Sequence, residues 1–344
     1  ERRRSTIPSM VCLAGSPSPV TAWERALVTA LERVFDATTL GRWRIALGRG
    51  ASEELSFRLQ VLTACGPATY ESEMRVARLR ARRAAWEAYV EAAETIGLLD
   101  DSELLNSLRA PDYDAFRGAL AECCVAWFLS GRLALAVSGK PPGRAARGAK
   151  GPRKLDLRTE IAGEEVRLDV KAPFVPRLNR CWSGDDAAAV SKCVKSAAEQ
   201  FERGCINVVA IVPKLRTMIA DDRLQLVNAL IGEHAITVHV SLDPKAPRRP
   251  SEPTFLPIGQ LAKLWRGEGG TFTPQFTRVS AVVSIEEEPN GTIESFIEHT
   301  VRVVHNPFAD KRLPRSMFHE FPQLVVSDSG DEMAWTDGFT GFGR

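Results

Sequence analysis

Four charged residues near the middle of the chain have the types and the surroundings that metal-assisted chemistry needs. Glu122 is the one charged residue in the apolar run 119–129, and a helix that is apolar on all sides is buried on all sides. A buried carboxylate is unfavourable unless it is paired, protonated or bound to a metal. Asp156, Asp169 and Lys171 follow in two stretches of alternating polarity. A salt bridge from Glu122 to a core Arg or Lys is the simpler explanation, and a shared metal site is the functional one.

The two alternating stretches predict a β-hairpin. Polar and apolar residues alternate over 155–161 and again over 165–171, which is the pattern of half-buried strands. The alternation places both acids and Lys171 on one face of the hairpin. Residues 162–164 read Ala-Gly-Glu. A glycine at the first central position favours a type II′ turn, whose central residues here are Gly163 and Glu164. A solvent-exposed hairpin with ion pairs is the structural alternative.

The predicted turn also sets the register of this hairpin. It pairs Arg158 with Asp169 and Glu160 with Arg167, and opposite charges across two strands stabilise a hairpin. The neighbouring register sets Arg158 against Arg167 and Glu160 against Glu165, where like charges repel. We therefore predict the first register.

The remaining periodicities predict an α/β fold. Helical spacing covers residues 20–35, 55–63, 71–96, 114–132, 187–203 and 215–231. Strand patterns cover residues 206–212, 235–242, 277–285 and 296–304, and the last 40 residues are predicted to be irregular.

A chain of 344 residues is long enough for roughly two domains. We expect a flexible segment over 1–19 and an α-helical domain over 20–110. Residues 111–344 should form an α/β domain, a mixed sheet flanked by helices, with a C-terminal β-rich extension. The helical domain is the expected docking region for a protein partner or for a second copy of the chain.

The ordered set of a helix with Glu122, a hairpin with Asp156, the run Asp169-Val170-Lys171, a second helix and a buried strand resembles the PD-(D/E)XK nuclease superfamily. The resemblance covers about residues 112–213 and implies a restriction-endonuclease-like core. Two positions depart from the commonest form of the pattern. Leu155 stands where the family usually has proline, and Asp169 stands where glutamate is more frequent.

The resemblance implies a metal-dependent nuclease that uses Mg²⁺ or Mn²⁺ to hydrolyse phosphodiester bonds. Mg²⁺ prefers hard oxygen ligands, and a bound cation can activate water and offset charge on phosphate. The implied ligands are Asp156, Asp169 and the Val170 carbonyl, with Glu122 binding directly, through water or at a second ion. Lys171 would orient the attacking water or help to deprotonate it.

The resemblance also implies a polar residue near the site on the second helix. Gln200 is the first choice for that position and Lys195 the second. The family's usual uses suggest a setting in host defence or in mobile-element biology, with DNA favoured over RNA as the substrate.

A local basic segment could contact nucleic acid. The net charge of +2, from 45 basic and 43 acidic residues, is too small for a protein whose whole surface coats nucleic acid. Residues 138–155, by contrast, contain basic residues and no acid: Lys140, Arg144, Arg147, Lys150, Arg153 and Lys154. A Gly/Pro-rich basic loop that leads into Asp156 would grip the phosphate backbone, or it is a solvated linker.

Two further hypotheses compete with the nuclease. One is a catalytically inactive member of the same superfamily that binds nucleic acid or serves in assembly. The other is a protein–protein adaptor whose working part is the helical region, and it predicts that Glu122 lies far from the hairpin acids. The seven cysteines form no CxxC pair and no apolar run reaches about 20 residues, so we expect reduced thiols, a cytoplasmic location and no membrane contact.

Overall fold

The computed structural model describes residues 29–50, 53–63, 70–139, 142–145, 152–161, 163–173, 184–212, 226, 230–231, 271–288, 298–326 and 333–336. Its helices are α1 (Ala30–Val34), α2 (Ala37–Gly48), α3 (Glu53–Leu62), α4 (Tyr70–Thr95), α5 (Ser102–Leu108), α6 (Tyr113–Trp127) and α7 (Gly184–Gln200). Its strands are β1 (Val137–Gly139), β2 (Pro142–Ala145), β3 (Pro152–Lys154), β4 (Leu157–Ile161), β5 (Glu164–Lys171), β6 (Ile206–Ile211), β7 (Ala281–Glu288), β8 (Glu298–His305), β9 (Gln323–Val326) and β10 (Met333–Trp335).

The predicted helices over 55–63 and 71–96 are confirmed by α3 and α4, and the prediction for 20–35 is confirmed in its described part by α1. The predicted helix over 215–231 lies outside the described residues apart from three helical positions, and the predicted strand over 235–242 lies outside them entirely. Helices α2 and α5 fall within the region predicted to be helical, 20–110, but neither was predicted as a separate element.

The helix that carries Glu122 starts at a side-chain cap and ends in a widened turn. The Ala115 amide donates to the carboxylate of Asp112 over 2.8 Å, which satisfies one of the unpaired donors at the start of α6. The prediction extends this helix to residue 132. The α-helix in fact ends at Trp127 and continues as a π-helical turn over Phe128–Arg132, where the Leu133 amide donates to the Phe128 carbonyl.

Eight of the strands form one sheet in the order β1-β4-β5-β6-β7-β8-β9-β10. Strands β5, β6 and β7 are parallel neighbours, β8 and β9 also run parallel, and the other neighbouring pairs are antiparallel. The prediction of a mixed α/β sheet is therefore confirmed. The prediction of an irregular C-terminus is wrong, because β9 and β10 are strands too short for alternation to reveal them.

The two faces of the sheet are covered by different helices. Ile206, Val208 and Ala210 of β6 belong to a core cluster that also contains buried residues of helices α1 to α6. Val209 and Ile211 belong to a second cluster with buried residues of α7. The first cluster runs across the domain boundary predicted at residue 110, so the N-terminal helices pack directly on the sheet. Among the described residues, no helix combines the length and the apolar character needed to cross a membrane.

The hairpin of β4 and β5 forms with the register that we did not predict. Arg158 lies opposite Arg167, and Glu160 lies opposite Glu165. Ile161 pairs with Glu164, so Gly163 takes the second central position of the turn, where its φ of +80° suits a residue without a side chain.

Ion pairs outside the cross-strand positions offset the like charges. Glu165 lies 2.5 Å from Arg167 and 3.9 Å from Arg158. Glu202, from the segment between α7 and β6, reaches Arg167 over 2.7 Å. The cross-strand charge rule fails here because Glu165 lies near both arginines and Glu202, from another element, pairs with Arg167.

Candidate active site

The hairpin opens at Asp156, and this opening forms the centre of the candidate site. Pairing between the strands ends at Leu157 and Leu168, and the chain bends at Asp156. The Asp156 amide still donates to the Leu168 carbonyl over 3.2 Å, and its Oδ2 accepts a 2.6 Å hydrogen bond from the Val170 amide. Because the N–H and C=O of one strand residue point to the same side, the Val170 carbonyl also faces Asp156.

Asp169 and Lys171 lie on the α7 face of the same strand. Their partners on β6 are Val209 and Ile211, which pack in the α7 cluster. Asp169 is buried, with 2% of its surface exposed, and its Oδ2 lies 2.5 Å from Lys171 Nζ. The Lys171 side chain keeps 23% of its surface exposed, so the ion pair stands between the core and the surface.

The charge of Glu122, which lies on α6, acts on Asp156 in the hairpin. Burial raises the pKa of Asp156 well above its usual range, and the negative charges of Glu122 and Asp169 raise it further. The hydrogen bond from the Val170 amide and the charge of Lys171 act in the opposite direction. The structure thus brings Glu122, Asp169 and Lys171 within electrostatic reach of Asp156. The separation of Glu122 from the hairpin that the adaptor hypothesis expects is not observed.

The donor chemistry of this site fits a hard divalent cation. The negative charges of Glu122 and Asp169 disfavour the ionised form of Asp156, and a cation bound beside Asp156 would offset that repulsion. No group of three or more His, Cys, Asp or Glu side chains in the described part of the chain is arranged to hold a metal ion. Mg²⁺ needs only one or two carboxylates besides water and other oxygens. A cation bound here would be held by Asp156, Asp169 and the Val170 carbonyl, with Glu122 binding directly or through water.

The residues chosen on the second helix are not beside the acids. The charges of Lys171 and Asp169 act on Cys193, so this level of α7 faces the site, and burial raises the pKa of the Cys193 thiol. Gln200 is the last residue of α7 and is buried about 10 Å further along the helix axis, next to the segment that contains Glu202. Lys195 is exposed. The family pattern does not fix how many residues separate the D-X-K run from the residue on the second helix. It therefore could not show which residue of α7, as this helix runs antiparallel to β5, lies beside the acids.

The predicted basic loop is partly a two-stranded ribbon. Pro142 pairs with Lys154 and Ala145 with Pro152, so β2 and β3 are antiparallel. Arg144 lies on β2, Arg153 and Lys154 lie on β3, and β2 contacts α7. The other three basic residues, Lys140, Arg147 and Lys150, lie outside the described residues. The sequence pattern did not predict the ribbon because its strands are short and contain prolines.

The position of the ribbon relative to the acids follows from the chain. Lys154, the last residue of β3, precedes Asp156 by two residues. The hairpin of β2 and β3 therefore places basic residues directly before Asp156 in the chain.

Comparison of the chain with protein-family models, with curated proteins and with solved structures gave no match in any of the three searches. The functional argument therefore depends on the geometry of the site itself.

Proposed function

We propose that this protein is a metal-dependent nuclease that hydrolyses phosphodiester bonds, with DNA favoured over RNA as its substrate. The observation that carries the proposal is the arrangement around Asp156. Its carboxylate is bound to the Val170 amide, lies within the electrostatic reach of Glu122 and Asp169, and stands beside the strand that carries Lys171. This is the same ordered set of residues that resembles the PD-(D/E)XK pattern.

Asp156, Asp169 and the Val170 carbonyl would hold one Mg²⁺ or Mn²⁺ ion. Such an ion supplies a water molecule activated near neutral pH and offsets charge on the phosphate oxygens. The protein's part is to hold the oxygens in place. The hydrogen bond from the Val170 amide fixes one carboxylate oxygen of Asp156, and burial on the α7 side of the sheet fixes Asp169.

Lys171 has the position of a residue that acts on the attacking water. Its Nζ lies 2.5 Å from Asp169 and its side chain is partly exposed, so it can contact a phosphate bound at the surface. In the reaction the water releases a proton to solvent and its oxygen forms a bond to phosphorus, the bond from phosphorus to the leaving oxygen breaks, and the leaving oxygen takes up a proton. An ammonium group at this position would stabilise the negative charge of the phosphate during that exchange.

The ribbon of β2 and β3 gives the nucleic acid a second point of contact. Phosphate contacts by Lys and Arg position a duplex without reading its sequence. Arg144, Arg153 and Lys154 lie on the ribbon that leads directly into Asp156. A nucleic-acid backbone bound to this ribbon would run past the candidate active site.

Cleavage of a fluorescent DNA duplex tests the proposal. We expect Mg²⁺- or Mn²⁺-dependent cleavage by the wild-type protein and none in EDTA. Asp169→Asn and Lys171→Ala should each lower the rate by about 100-fold or more. Glu160→Gln, on the exposed side of β4, is the matched control and should leave the rate unchanged. Cleavage that persists in both site variants would overturn the assignment.

An inactive superfamily member that binds nucleic acid or serves in assembly is the second candidate. It is favoured by the lack of a three-residue metal cluster among the described side chains and by the ion pair that already occupies Asp169. Calorimetric titration with Mn²⁺ distinguishes the two functions. The nuclease binds Mn²⁺ and loses that binding in Asp156→Asn protein, whereas the inactive module binds DNA without carboxylate-dependent Mn²⁺ uptake.

A further inference from the structure

A largely buried arginine joins the helix of Glu122 to the strand of Lys171. Arg117 of α6 donates from Nη1 to the Pro173 carbonyl over 2.6 Å and from Nη2 to the Ala172 carbonyl. These two carbonyls belong to the residues that directly follow Lys171 at the end of β5. The guanidinium therefore binds the backbone at the end of the Asp-X-Lys run with two charge-assisted hydrogen bonds.

The contact joins the helix of Glu122 to the end of β5. Glu122 follows Arg117 by five residues, which is about 7.5 Å along an α-helix. The charge of Glu122 acts on Asp156, and Asp156 accepts a hydrogen bond from Val170, two residues before Ala172.

Other groups hold the guanidinium in this position. Asp114, one turn earlier on α6, lies 3.7 Å from Arg117 Nη2, and the Tyr113 ring lies 5.7 Å from its central carbon. Only 13% of the Arg117 side chain is exposed, and burial lowers its pKa. Cys193 of α7 also contributes to the electrostatic environment of Arg117, so three elements of the site meet at this side chain.

We propose that Arg117 is a positioning residue for the candidate active site, a role that rests on the proposed nuclease function. It holds α6 against the end of β5 and thereby sets the separation of Glu122 from Asp156 and Asp169. It touches neither the substrate nor the metal. Its loss lets the helix shift along the strand, so that the acids no longer act on one ion.

Arg58 provides a matched control of the same chemical kind. This buried arginine donates to the Ala110 and Pro111 carbonyls, which precede α6, rather than to the carbonyls that follow Lys171. Variants Arg117→Ala, Arg117→Lys and Arg58→Lys are compared in three measurements. These are the urea midpoint of unfolding, the Mn²⁺ Kd by calorimetry, and kcat and KM for duplex DNA at a temperature where all variants are folded.

The proposal predicts a specific pattern. Arg117→Ala should weaken Mn²⁺ binding about 10- to 100-fold and lower kcat by a similar factor, with KM for DNA unchanged. Arg117→Lys should recover most of both, because an ammonium group can still donate to one carbonyl. Arg58→Lys should lower the urea midpoint without changing Mn²⁺ affinity or kcat.

Two outcomes overturn the proposal while the nuclease function stands. In the first, folded Arg117→Ala protein binds Mn²⁺ and cleaves DNA like the wild type. In the second, the Arg58 and Arg117 variants lose activity in proportion to their loss of stability. Wild-type protein that neither binds Mn²⁺ nor cleaves DNA contradicts the nuclease function itself, and the positioning role with it.

Discussion

The Val170 amide donates a 2.6 Å hydrogen bond to Oδ2 of Asp156, so the first acid of the hairpin is fastened to the residue between the second acid and the lysine. Alternation alone places Asp156 and Asp169 on one face. Alternation does not predict the bend at Asp156, which turns the carboxylate towards the backbone of β5. A side-chain oxygen thereby replaces the next hydrogen bond of the ladder.

Asp156→Asn should make the protein more stable and inactive. Burial and the charges of Glu122 and Asp169 disfavour the ionised carboxylate, and an amide relieves that repulsion while its oxygen can still accept from Val170. We expect the free energy of unfolding at pH 8 to rise by roughly 1 kcal/mol, since functional sites often reduce stability. Urea denaturation and the cleavage assay measure both effects, and a fully active or strongly destabilised variant would contradict them.

Divalent cations should stabilise the folded protein through the same acids. A ligand that binds the folded state alone adds about 2.7 kcal/mol at a concentration of 100 times its Kd. The Tm should therefore rise with Mn²⁺ concentration in wild-type protein and stay constant in Asp169→Asn protein. An equal rise in the two proteins would place the ion elsewhere.

Neutralising the ribbon should weaken DNA binding and reduce its dependence on salt. Replacement of Arg144, Arg153 and Lys154 by glutamine removes up to three phosphate contacts. Each lost contact makes the negative slope of log K against log salt shallower by about 0.9. The control replaces three exposed arginines of the α2 region, which are Arg42, Arg44 and Arg49. Fluorescence anisotropy at several salt concentrations gives both slopes, and a salt dependence left unchanged by the ribbon substitutions would refute the role of the ribbon.

His299 should make stability depend on pH in the acidic range. Burial lowers its pKa from the usual 6.5 to about 4, with a further contribution from Arg82, and its Nε2 lies 2.5 Å from the buried Tyr89 hydroxyl. Between pH 6.5 and pH 4 the unfolded chain binds a proton that the folded protein does not, so stability falls as the pH falls.

The size of this effect is at most about 1.4 kcal/mol per pH unit. In His299→Gln protein the free energy of unfolding, from urea denaturation at pH 4.5 and at pH 6.5, should differ less between the two values than in wild type. The exposed His319 serves as the control, and its replacement by glutamine should leave the wild-type difference unchanged. An unaltered pH dependence in the His299 variant would show that another group is responsible.

The sequence predicted those elements whose own residues determine them. Helix α4 was predicted to within one residue at each end, because 26 residues of continuous helical spacing outweigh local exceptions. Strand β5 was predicted because its alternation extends over the seven residues 165–171. The three acids and Lys171 could be identified because an isolated acid in an apolar helix and a D-X-K run are visible without knowledge of the fold.

The parts that could not be predicted depend on residues distant in sequence. The register of the hairpin is compatible with ion pairs from Glu202, which lies on the far side of α7 in the chain. Whether Cys193 or Gln200 stands beside the acids depends on the path of α7 across the sheet. The contact of Arg117 with the carbonyls of Ala172 and Pro173 joins residues more than fifty positions apart, and nothing in the local pattern of either segment indicates it.

The central claim is that Asp156 and Asp169 hold a divalent cation beside Lys171, and anomalous diffraction from a Mn²⁺-soaked crystal tests it most directly. The account predicts one strong peak about 2.0–2.2 Å from a carboxylate oxygen of each acid and from the Val170 carbonyl. Lys171 would then have turned from Asp169 towards solvent. A crystal without a peak at this position, in which Lys171 and Asp169 keep their ion pair at saturating Mn²⁺, would contradict the account.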